Sequence, residues 1–188
     1  MTDRIADRLR QAAAAHEQMA ATGTAAIAAA ADAMIAALRA GNKVLTFGNG
    51  GSAAGAQHFA AELVVRYERN RPPRAAVALT TDTSVLTAMA NDIDFSQVFV
   101  RQVEALGKPG DVALAITTSG QSPNVVKAIE RANALGLKTI VLTGGDGGDA
   151  GQLAAIHVNV ASARTATAQE VHTTVLHVLC ELIDEGLA

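Results

Sequence analysis

A turn of Gly48-Asn49-Gly50-Gly51-Ser52 follows the apolar run Lys43-Val44-Leu45-Thr46-Phe47 and leads into an Ala-rich segment. A strand that feeds such a turn into a helix sets backbone N–H groups and a hydroxyl at the positive end of that helix. That geometry suits an anion such as phosphate. A second loop has the same form: Thr117-Thr118-Ser119-Gly120-Gln121-Ser122-Pro123 carries four hydroxyls, at Thr117, Thr118, Ser119 and Ser122. Pro123 suits the first turn of a helix, where its missing N–H costs nothing. Either loop alone reads equally well as a simple helix cap. Two of them in one short chain point to a small phosphorylated ligand.

Ionisable groups follow the first loop. His58 and Glu62 stand at i and i+4, so they share one face of the helix that the turn begins. They could act as acid and base or hold a metal, and such a pair is also common on a solvated face. Near the C-terminus stand Gln169, Glu170, His172 and His177. At about 100° per residue, His172 and His177 flank Gln169 on opposite sides, and periodicity does not choose between them. His16 and His157 read as structural. Asn91-Asp92 forms a polar corner that is also an ordinary helix stop. Cys180 lies between Leu179 and Leu182 and reads as an inert core thiol.

Several classes are excluded. No Gly-Lys-Ser/Thr sequence of the nucleotide-hydrolysing kind occurs, and Ala53 occupies the last glycine position of the dinucleotide fingerprint. With 15 basic and 18 acidic residues the net charge is -3, so no basic excess exists to bind nucleic acid directly. The start, Met1-Thr2-Asp3-Arg4, lacks a signal-peptide apolar core, and the Ala-rich run over 25–38 is broken by Asp32. That run reads as a packed helix and not a membrane span, and a cytoplasmic location is expected.

The elements that must position these groups are legible. Two helices are expected first, over about Asp3–Met19 and Thr24–Arg39, punctuated by Gly23 and Gly41. Short apolar runs then recur at Lys43–Phe47, Ala75–Leu79, Val112–Ile116, Lys138–Leu142 and Ile156–Val160. Helical patterns separate them. This alternation predicts an α/β protein, a three-layer α/β/α sandwich around a five-stranded parallel sheet. The 188 residues suit one domain, with a helical oligomerisation segment over 1–40 and an α/β core over 41–188. Aromatics are only 3%, so small and aliphatic side chains must fill the core. Arg71-Pro72-Pro73-Arg74 is read as ending a helix, and Gly144–Gly148 as a flexible loop. A last helix over about Ala168–Leu187 carries Val171, Val175, Val178, Leu179, Leu182 and Ile183 on a broad apolar face. The helices offer more apolar surface than one small sheet covers, which predicts a homo-oligomer.

Together these pieces resemble the SIS family of sugar-phosphate isomerases and sugar-phosphate-binding domains, with its flavodoxin-like fold. The matching stretches are Gly48–Ser52, Gln57-His58-Phe59-Ala60-Ala61-Glu62, Arg71-Pro72, Asn91-Asp92, Thr118–Ser122, Gln169-Glu170-Val171-His172 and His177. The resemblance implies conversion of sedoheptulose 7-phosphate to D-glycero-D-manno-heptose 7-phosphate through an enediol. It implies Glu62 as base and His177 as its acid/base partner. Asn49, Gly50, Gly51, Ser52, Glu62, Asn91, Asp92, Thr117, Thr118, Ser119, Ser122 and Gln169 would bind substrate. One zinc per subunit would sit on His58, Glu62, Gln169 and His177, in a tetramer whose neighbouring chains complete each site. The family also holds non-catalytic binding proteins and adaptors to a replication initiator, which makes a protein partner the alternative. Thr167-Ala168 departs from the family's usual basic residue and Ile, which bears on the pocket rim, where Arg164 and Thr165 could supply polar contacts.

Overall fold

The computed structural model describes residues 1–188. Helices α1 (Thr2–Thr22) and α2 (Thr24–Arg39) come first, and strand β1 (Val44–Gly48) then runs into α3 (Gly51–Val64). Strand β2 (Ala76–Ala78) leads to α4 (Thr83–Asp92), a 3-10 turn at Phe95–Gln97 and α5 (Val98–Leu106). The remainder alternates as β3 (Val112–Thr117), α6 (Pro123–Ala134), β4 (Lys138–Gly144), α7 (Gly148–Leu153), β5 (Ile156–Val160) and α8 (Thr165–Gly186). All strand pairs are parallel, in the order β2-β1-β3-β4-β5. The expected five-stranded α/β sandwich is therefore what the chain forms.

Strand side chains alternate between two cores, as a period of 2 requires. Val112, Leu114 and Ile116 of β3 face a core shared with α2, α3 and α8. Ala113 and Ala115 face the other, built with α5 and α6. The small alanines there leave room for Phe47 and Phe99, whose rings lie 5.2 Å apart. The Ala-rich α2 buries Ile27, Ala30, Ala31, Met34 and Ala37 in the first core. No single helix is long and apolar enough to cross a membrane; α1 and α2 together have the length and composition, but they are bent by 71° at Gly23.

Three local readings need correction. Helix α3 stops at Val64, well before Pro72, so the prolines do not end it. Its last carbonyls are instead taken by Arg71 and by the Arg74 N–H, which bonds Leu63 O at 2.9 Å. The Gly144–Gly148 segment is not a free loop. Gly144 N donates to Thr118 O, Gly145 N to Ser162 O, and Asn159 Nδ2 to Gly145 O. Helix α8 also begins at Thr165, three residues before the expected start at Ala168, with the Arg164 guanidinium on Thr167 Oγ1 at 3.2 Å.

Candidate active site

In a sheet of this order the chain reverses direction between β1 and β3, and the crevice at that switch point is where open α/β sheets bind ligands. Both candidate phosphate loops lie there, because Gly48 ending β1 is paired with Ile116 near the end of β3. The loops are tied by a reciprocal pair of amide bonds. Asn49 Nδ2 donates to Asn124 Oδ1, and Asn124 Nδ2 to Asn49 Oδ1, both at 2.9 Å. Asn124 was not singled out by sequence; its place in the second turn residue of α6, directly after Pro123, was the only available signal. Neither α3 nor α6 has a side chain capping its first turn; Ser52 N and Ala53 N donate to Asn49 O and Val125 N to Ser122 O, which leaves Gly51 N and Asn124 N open to a ligand. Ser119 Oγ accepts from Gln121 N at 3.2 Å and is exposed, whereas Thr117 is buried at the strand end.

The loop after β4 supports the serine-rich loop from behind. Gly120 has φ +67, and a Cβ there would lie 2.1 Å from Gly147 O. Gly120→Ala should therefore push Ser119 out of place. We expect a fall in stability of about 1–3 kcal/mol and at least an order-of-magnitude rise in KM for a phosphorylated substrate, read by thermal melting and steady-state kinetics. An unchanged KM would mean that this loop does not hold the phosphate.

A cavity of about 250 Å³ opens beside α3. Gly51, Ser52, His58, Gln169 and His172 line it, with Ile116 and Leu176 as its apolar floor; His177 reaches it only through His58. Gln169 lies so close over the start of α3 that a Cβ at Gly51 would be 2.7 Å from its Nε2. Midway along α3, His58 Nε2 and His177 Nε2 are 2.7 Å apart, so one ring donates and the other accepts. The opposite nitrogen, His58 Nδ1, faces Glu62 Oε1 at 3.6 Å. Tyr67, another residue not flagged by sequence, stacks on the His177 ring at 5.6 Å. Burial and nearby carboxylates raise the pKa of its phenol, which keeps it a neutral platform.

His177 and His172 have separate surroundings. His172 is buried and its Nε2–H donates to Thr143 O at 2.9 Å; burial lowers its pKa. His157 Nε2 donates to Thr143 Oγ1 at 2.6 Å, while that hydroxyl donates to Asn159 Oδ1 at 2.7 Å. Burial lowers the His157 pKa as well. Both rings thus brace the end of β4. His16 bonds Ala12 O and Thr174 Oγ1. Thr167 and Ala168 are buried, so they do not form a pocket rim. Asn91 and Asp92 end α4, exposed and bonded to each other at 2.8 Å, and they do not line the cavity of their own chain.

The chain is similar to known proteins over most of its length. The SIS domain model matches residues 9–144. A phosphoheptose isomerase of Azoarcus sp. is 53% identical over 98% of this chain and 95% of its own length. One from Aromatoleum aromaticum is 58% identical over 84% of this chain and 81% of its own. The solved phosphoheptose isomerase of Francisella tularensis superposes with a TM-score of 0.94 at 42% identity, covering 98% of both chains. The chain belongs to the SIS-domain family and, within it, to the phosphoheptose isomerases.

Proposed function

We propose that the chain is an aldose–ketose isomerase acting on sedoheptulose 7-phosphate and yielding D-glycero-D-manno-heptose 7-phosphate. One observation carries this reading: His58 lines a cavity that the start of α3 also lines, and the His58 ring is contacted by His177 at 2.7 Å and by Glu62 at 3.6 Å. The phosphate sits on the N-termini of α3 and α6, with Ser52, Thr118, Ser119 and Ser122 as hydroxyl partners and Thr117 shaping the strand end. Asn49, Gly50, Gly51 and Gln169 line the sugar.

Glu62 takes the proton from C1 of the open-chain ketose as His177 gives one to the carbonyl oxygen at C2. This forms the enediol. The proton of the C1 hydroxyl then leaves to His177, and Glu62 returns its proton to C2. Each group ends as it began, as catalysis requires. The facing imidazoles and the neighbouring carboxylate support this division of labour.

We assign one zinc per subunit to His58, Glu62, Gln169 and His177. The donor types fit, because two imidazole nitrogens already face each other and zinc accepts carboxylate and amide oxygens. No three His, Cys, Asp or Glu groups converge as the chain folds, so Glu62 has to turn away from His58 Nδ1. When bound, the ion supplies positive charge to the developing enediolate. A coordinated carboxylate is a weak base, so Glu62 serves one role at a time.

We further place the active form in a homotetramer in the cytoplasm. An apolar groove of about 480 Å³ between α1, α2 and α8, lined by Met19, Ile27, Val171, Val175, Val178 and Leu182, supports association through helices. Asn91 and Asp92 then serve the sugar site once a neighbouring chain is present.

The test is NMR-monitored conversion of sedoheptulose 7-phosphate by the purified protein, as isolated, with added zinc and with chelator. Growth of aldose C1 signals is the expected result, with chelator slowing it. Tight binding without turnover would overturn the enzyme reading in favour of a sugar-phosphate sensor or a protein adaptor.

A further inference from the structure

Arg71 lies in the irregular segment after α3 and is almost fully enclosed, with its side chain 7% exposed. Its guanidinium divides its donors among four targets, the weakest being Pro72 O, which accepts from Nη1 at 3.2 Å. Nε donates to Asp184 Oδ1 at 2.6 Å, Nη1 to Leu63 O at 2.7 Å and Nη2 to Glu62 O at 2.7 Å. Leu63 and Glu62 are in the last turn of α3, whose carbonyls have no partner within the helix. Asp184 is on α8, seven residues beyond His177. Seven residues make nearly two full turns, so Asp184 and His177 share a face of α8.

We propose that Arg71 and Asp184 are positioning residues that set the distance between Glu62 and His177. The inference rests on the isomerase reading above for the roles of those two groups, and the clamp itself rests on the contacts. The arrangement is not the one that pairing strength alone would select. An Arg and a carboxylate bind most strongly through two parallel bonds, yet here the carboxylate receives only Nε, and Asp184 Oδ2 has no partner. A buried ion pair is in any case a poor source of net stability. Nη2 is thereby freed to hold the backbone of Glu62 itself, and Nη1 that of the next residue, Leu63. A Lys cannot copy this, because a single ammonium does not span a carboxylate on one helix and two carbonyls on another. The positive charge also complements the negative end of α3.

Arg71→Lys and Arg71→Met, with Asp184→Ala and Asp184→Asn, test the clamp in the full-length protein. Three readouts are needed: kcat and KM, the melting temperature, and the imidazole 13C–1H signals of His58 and His177 at one fixed pH. We expect kcat to fall about tenfold to a hundredfold in both Arg71 variants, since misplacement by about 1 Å costs that much. KM should stay within about twofold, since the phosphate loops are anchored by the Asn49–Asn124 pair at the other end of α3. Asp184→Asn keeps an oxygen acceptor for Nε and should recover most of the turnover lost in Asp184→Ala. The imidazole signals should shift in every variant that loses turnover.

A lowered melting temperature with kcat and imidazole signals unchanged would overturn the proposal and leave a purely structural pair. Arg71→Lys keeps the charge and guards against a result in which Arg71→Met does not fold. If the unsubstituted protein shows no turnover, the isomerase reading fails. The imidazole signals still decide whether the clamp sets the His58–His177 geometry.

Discussion

Glu62→Gln removes isomerisation and leaves sugar-phosphate binding in place. The substitution keeps the length of the side chain and an oxygen acceptor, but an amide does not take a proton from carbon. A positioned general base contributes about 10²–10⁴-fold, and in the proposed mechanism both proton transfers at carbon pass through this group, so turnover should fall by at least the upper part of that range. Binding should survive because the proposed phosphate site is at the starts of α3 and α6, whereas Glu62 lies in the last turn of α3. Isothermal titration with the sugar phosphate and NMR turnover separate the two quantities. A variant with full turnover would remove Glu62 from the base role, and lost binding would move it into substrate recognition.

His177→Gln is the second large effect, expected at about 10²–10³-fold in kcat. The ring is held on two sides, by Tyr67 stacked at 5.6 Å and by the edge of His58 at 5.0 Å. A flexible amide inherits neither contact, and His58 Nε2 loses its partner. Zinc content of the purified variant, measured by atomic absorption, separates a lost acid from a lost ligand. Retained zinc with lost turnover assigns the acid role; loss of both assigns His177 first to the metal. Zinc and turnover both at the level of the unsubstituted protein would remove His177 from the site.

Much of the fold was legible because the signals were local. Apolar runs of β length alternating with helical patterns give a parallel sheet, and α2 begins and ends where Gly23 and Arg39 stand. Both glycine- and hydroxyl-rich loops declared themselves for the same reason. The end of α3 was misread because its stop signal is not in the neighbouring sequence. It is a guanidinium arriving from Arg71, oriented by Asp184, which is more than a hundred residues away along the chain. The choice between His172 and His177 had the same character. Both sit on one helix, and only the packing of α8 against β4 on one side and α3 on the other gives them different surroundings. Tyr67 and Asn124 also acquire their neighbours only through tertiary contacts.

Cys180 lies on α8 between His177 and Asp184, 1% exposed, and burial pushes its thiol up to about 12, with Glu62 and Asp184 adding to the shift. A thiol so held is nearly all protonated at neutral pH and does not react with alkylating agents while it stays enclosed. It reacts only when α8 lifts away from α3. The chain therefore carries its own clock for that opening: the rate of labelling at Cys180, the one cysteine present, measures how often the helix that bears Glu62 parts from the helix that bears His177. Substrate that bridges the two helices should slow the clock.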